Sequence, residues 1–96
     1  MAIETTAYDV ADYLTSPERV AAFLELAFEE GDPKRVSAAL GTVARAKGMT
    51  WLARETGLTR EALYRALAPD GNPTLATFSA VLDALGLRMR IDPKAA

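Results

Sequence analysis

The side chains best suited to chemistry fall within one stretch, residues 49–67, MTWLARETGLTREALYRAL. Arg60, Glu61, Tyr64 and Arg65 stand at i, i+1, i+4 and i+5, which puts them on one face of a helix. Arginine grips guanine through two hydrogen bonds or holds a phosphate, glutamate accepts from the amino group of cytosine, and tyrosine bonds phosphate. The chemistry on offer is recognition of duplex DNA. Thr50 and Trp51 open the segment, Thr59 stands directly before the arginine face, and Asn72 lies in the loop that follows. The candidate DNA-binding set is therefore Thr50, Trp51, Thr59, Arg60, Glu61, Tyr64, Arg65 and Asn72. Each has an ordinary reading beside it: Arg60 and Arg65 as solvated surface, Trp51 as packing, Asn72 as a turn residue.

Catalysis has little to work with. The 96 residues include no histidine and no cysteine, which removes the commonest general base, the commonest metal ligand, thiolate chemistry and disulfides. Glu25, Glu29, Glu30 and Asp32 gather acids in sequence, but Glu25 and Glu29 at i, i+4 read as a solvated helix face. No enzyme activity, catalytic residue, metal or cofactor is expected. The N-terminus shows no basic segment leading into an apolar run, and no apolar stretch approaches the roughly 20 residues that span a bilayer. A soluble cytoplasmic protein with no membrane partner is expected.

Net charge is −2, but the halves differ. Residues 1–32 hold eight acids against Arg19 alone, a net of −7, whereas residues 33–96 hold ten bases against five acids, a net of +5. Such asymmetry suggests two surfaces with different partners. The basic half suits phosphate, and the acidic half would repel it.

The elements that must position these residues read as helices. Two short helices around Gly57, the second capped by Thr59, have the layout of a helix-turn-helix over about residues 50–68. Ala53 permits close approach of the two, Gly57 supplies the turn, and Leu58 plugs the gap beneath. Thr50 is expected to cap the first, and the second to run from Arg60 to Ala68, with Ala62, Leu63, Ala66 and Leu67 inward. Upstream, the acidic N-terminal helices occupy about residues 9–31. A short one is expected over Asp9–Leu14; the next starts at Ser16-Pro17-Glu18, with Val20, Phe23, Leu24, Ala27 and Phe28 on one apolar face. Gly31 stops it, and Asp32-Pro33 starts another carrying Val36, Ala39, Leu40, Val43 and Ala44 inward. Pro69–Pro73 is a turn, and Thr74 caps a last helix with Leu75, Phe78, Val81, Leu82 and Leu85 on one face.

Leu87-Arg88-Met89-Arg90-Ile91 alternates apolar and basic residues like a half-buried strand, yet nothing else in the chain reads as its partner. It is either a frayed tail or a strand that pairs with a second subunit. In the second case Leu87, Met89 and Ile91 form a homodimer contact, and the two-fold axis sets two recognition helices about 34 Å apart. The whole is expected to be one all-α domain over residues 1–96, with five or six helices and a short C-terminal strand over about residues 87–91.

The order Tyr8-Asp9, Tyr13-Leu14, Gly31-Asp32-Pro33, Ala39-Leu40, Ala44–Met49, Gly57–Glu61, Leu63-Tyr64, Gly71–Thr74 and Ala84–Leu87 resembles HigA-type addiction-module antidotes, within the lambda-repressor-like helix-turn-helix class. The resemblance runs from about Tyr8 to Ile91 and is most specific in LTREALYRAL and GNPT. It implies a bacterial antitoxin of a type II toxin–antitoxin module, binding a RelE/ParE-like toxin and repressing its own operon as a dimer on operator DNA. Toxins of that kind are typically basic, which makes the acidic face with Glu25 and Glu29 the expected toxin-binding surface. A stand-alone regulator without a toxin, or a helical interaction module that binds no DNA, are the alternatives.

Overall fold

Short polar side chains start four of the helices. The computed structural model describes residues 12–95, which are helical with no strand among them. Helices α1 Pro17–Glu29, α2 Pro33–Lys47, α3 Met49–Thr56, α4 Arg60–Ala66 and α5 Leu75–Ala84 follow in order. The Ser16 hydroxyl accepts from the Arg19 N–H at 3.2 Å, the Asp32 carboxylate from Lys34 at 3.0 Å, Thr59 from Ala62 at 3.0 Å and Thr74 from Thr77 at 3.1 Å. Each satisfies a first-turn N–H that the helix itself cannot. Pro17 and Pro33 follow their caps at the first helical position, where a missing N–H costs nothing.

The helical periodicity then builds one aliphatic core. Val20 and Leu24 of α1, Leu40, Val43 and Ala44 of α2, Met49 and Leu52 of α3, Leu63 and Leu67 at α4, and Val81, Leu82 and Leu85 at α5 are all buried. Helix α1 packs on α2, while α3 touches α2, α4 and α5 and so sits at the centre. Gly41 lets α2 approach the end of α4: a Cβ there would stand 2.5 Å from the Leu67 carbonyl oxygen. Leu14 is buried, and its carbonyl accepts from Lys47 Nζ at 3.1 Å, tying the chain ahead of α1 to the end of α2.

Five expectations need correction. Thr50 does not cap α3, because the helix begins one residue earlier and its N-cap is Gly48, which also ends α2. Helix α4 stops at Ala66, short of Ala68. Leu75 is 70% exposed although expected inward, since it opens α5 beyond the reach of the core. Phe28, expected on the apolar face of α1, is half-exposed and meets Phe78 edge-on, ring centroids 6.2 Å apart. Finally, residues 87–91 form no strand, and the described residues supply no second strand to receive their backbone groups. Of the helix expected over Asp9–Leu14, residues 9–11 lie outside the described residues; Asp12 and Tyr13 are helical and Leu14 is not.

Candidate nucleic-acid interface

Helices α3 and α4 meet at Gly57, whose backbone is left-handed at φ 76°, ψ 5°. A residue with a Cβ is strained there, so glycine makes the tight turn possible. Its N–H still donates to the Ala53 carbonyl at 2.9 Å, closing α3 cleanly. Thr56 then bridges the turn. Its hydroxyl donates to the Leu52 carbonyl at 2.8 Å and accepts from the Leu58 N–H at 3.2 Å, holding the connecting strand of chain to the last turn of α3. Sequence reading passed over Thr56; a hydroxyl at the last helical position before a glycine was the available signal.

Beyond the turn, α4 has two unlike faces. Leu63 and Leu67 are buried, whereas Thr59, Arg60, Glu61, Tyr64 and Arg65 are exposed, as their spacing requires. The Arg60 guanidinium lies 5.7 Å from the centre of the Tyr64 ring and donates a long hydrogen bond, 3.4 Å, to its hydroxyl. Among the described residues the ion pairs are Arg35–Glu30 at 3.3 Å and Arg90–Asp92 at 3.2 Å, so Arg60, Arg65 and the exposed Arg54 of α3 have no carboxylate partner there. Asn72 and Arg65 line the same shallow hollow between α4 and the start of α5. Thr50 is exposed as the second residue of α3. Trp51 is half-buried against the core, which gives its ring a packing role and leaves part of it at the surface.

The other candidate residues stand elsewhere. Glu25 and Glu29 are exposed on α1, with Leu26 beside Glu25 and 64% exposed. This aliphatic side chain lies off the apolar face that the spacing of α1 defines, and the spacing alone gives it no role. Leu87 is half-buried against the core, and its N–H donates to the Leu82 carbonyl at 2.9 Å. Met89 and Ile91 are exposed, at 47% and 96%. Among the described residues no three acids gather closely enough to hold a metal ion, and no helix is long and apolar enough to cross a membrane.

A family model described as "probable addiction module antidote protein" matches residues 4–93. A protein of Haemophilus influenzae, described as uncharacterized, is 42% identical over 84 residues, covering 88% of this chain and 87% of its own length. No solved structure matches the chain significantly.

Proposed function

The chain belongs to the family of probable addiction module antidotes, and on that premise we propose that it is the antitoxin of a type II toxin–antitoxin module that also represses its own operon. The antitoxin is of HigA type, its bundle is lambda-repressor-like, and its toxin is RelE/ParE-like. One observation carries the DNA-binding part. Helix α4, set off by a left-handed glycine, presents Arg60, Tyr64 and Arg65 outward with no carboxylate to neutralise them among the described residues. An arginine without an acid partner keeps its full attraction for phosphate or guanine. In this reading Arg60, Glu61 and Arg65 meet base edges, while Thr50, Trp51, Thr59, Tyr64 and Asn72 meet the DNA backbone.

The toxin-facing surface is α1. Glu25 and Glu29, without cation partners among the described residues, border the open Leu26, an arrangement suited to a basic surface that also offers an apolar contact. The protein works as a homodimer on operator DNA, because one seven-residue recognition helix reads a single half-site and two-fold symmetry doubles the contact.

Two measurements test the reading together. Fluorescence anisotropy with duplex DNA from upstream of the gene, repeated over a salt series, should show binding that weakens steeply with salt. Co-expression with the adjacent small reading frame should relieve that frame's growth arrest. Binding without relief would leave a stand-alone regulator. Relief without binding would leave an interaction module that does not repress.

A further inference from the structure

An open apolar groove lies between the α1–α2 turn and α5. Phe28, Val36, Pro73, Leu75, Phe78 and Met89 form its apolar lining. Its volume is about 440 Å³, room for several aliphatic side chains. Two residues after Met89 the chain projects Ile91, which is 96% exposed and has no seat among the described residues. Among the described residues, an apolar groove with no occupant and an apolar side chain with no seat thus lie a few residues apart.

Their surroundings match in charge. Residues 25–35, around the α1–α2 turn, hold four carboxylates, Glu25, Glu29, Glu30 and Asp32, against Lys34 and Arg35. Arg35 is engaged by Glu30 at 3.3 Å. The segment carrying Met89 and Ile91 has Arg88 and Arg90 interleaved with them. Arg90 meets Asp92 at 3.2 Å, while Arg88 has no carboxylate partner among the described residues. The tail is thus apolar and basic, the groove is apolar and adjoins the acid-rich α1–α2 turn, and both belong to every copy of the chain.

We propose that the occupant of this groove is the C-terminal segment of a second copy, and that two chains exchange these segments reciprocally about a two-fold axis. The proposal rests on the reading of the protein as a dimeric DNA-binding antidote, and deepens it by assigning the dimer surface. Ile91 of each chain enters the groove of the other, and Arg88 meets the acidic rim. Two-fold symmetry makes the pairing occur twice, so a contact that is small in one direction is doubled. Direct pairing of two 87–91 strands, the arrangement that backbone alternation alone suggests, would leave both grooves empty and Leu75 in water.

Disulfide trapping decides between the arrangements, because the chain has no cysteine of its own. Ile91→Cys and Leu75→Cys are made separately in the otherwise intact protein, then mixed under mild oxidation. The mixture should yield a covalent heterodimer joined through positions 91 and 75, a link that direct strand pairing would not give. Efficient Met89→Cys self-crosslinking without the 91–75 link would overturn the proposal in favour of strand pairing. Sedimentation adds a second readout, since Ile91→Asp should weaken the dimer by about tenfold or more. An Ile91→Asp variant as dimeric as the parent would also overturn it, placing the interface elsewhere. A parent protein that sediments as a monomer yet binds its operator would refute the exchange and leave the DNA-binding reading standing. A parent that does neither would fail that reading itself.

Discussion

What separates Arg60 from Arg65 is a neighbour. Arg60 lies against the Tyr64 ring with its guanidinium 5.7 Å from the ring centre, whereas Arg65 has no aromatic or acidic support among the described residues. Stacking holds a guanidinium in place before the ligand arrives, so less freedom is lost on binding. Arg60→Ala should therefore cost about 1–3 kcal/mol of operator affinity, the range for a good bidentate contact to a base. Tyr64→Ala should cost part of that, by releasing Arg60. The double variant Arg60→Ala, Arg65→Ala should reduce specific binding below detection in an anisotropy titration at moderate salt. Undiminished affinity in the double variant would sink the assignment of α4 as the recognition helix. Glycine positions give a second contrast. Gly57→Ala meets no atom within 4 Å, so its cost is the left-handed backbone alone, about 1–2 kcal/mol. Gly41→Ala pushes a methyl against the Leu67 carbonyl, a backbone atom that cannot turn aside. It should cost more than Gly57→Ala in thermal or urea unfolding, and the reverse order would mean that α2 and α4 can slide apart freely.

At the scale of elements, α4 is the critical piece, because seven residues are too few to hold a helix by themselves. It relies on the Thr59 cap and on burial of Leu63 and Leu67. Thr59→Ala should remove about 1 kcal/mol of stability, and operator affinity should fall further than stability does, since the first turn of α4 carries Arg60 and Glu61. A Thr59→Ser variant keeps the hydroxyl and should restore both. If Thr59→Ala unfolded at the parent's urea midpoint, packing alone would be holding α4. The same helix shows what the sequence disclosed and what it withheld. Caps are local, so Ser16, Asp32, Thr59 and Thr74 were legible from residue type and from the periodic run that follows each. The exposed set Arg60, Glu61, Tyr64 and Arg65 was legible for the same reason, as the complement of Leu63 and Leu67. Gly41 was not, because its role depends on Leu67, which is distant in sequence and is brought near only by the fold. Nor was the start of α3, where one residue, Gly48, closes a helix and opens the next, displacing Thr50 from the cap. Leu75 and Phe28 have core-like spacing and still face water. Periodicity assigns a face, and only the neighbouring helices decide whether that face is covered.

For the whole molecule, charge is divided along the chain, and so are the two functions proposed for it. Glu25→Lys with Glu29→Lys should slow capture of the toxin several-fold at low salt and much less at high salt, since the ions screen surface charges beyond about 10 Å at 0.1 M. Binding to operator DNA should persist at protein concentrations that keep the protein dimeric, because α4 is untouched. An unchanged association rate at low salt, measured by stopped flow, would reduce the α1 carboxylates to solvated surface. The single tryptophan lies on the other side of this division. Trp51 is half-buried in α3, packed against the core and a few residues ahead of Gly57. Its ring therefore samples solvent and protein interior at once, next to the turn that sets α4. The molecule carries its own optical probe. Tryptophan emission from the unlabelled protein should respond when DNA covers the α3–α4 surface and stay nearly constant when a toxin covers α1. The two binding events can then be followed separately, by colour, in a single cuvette.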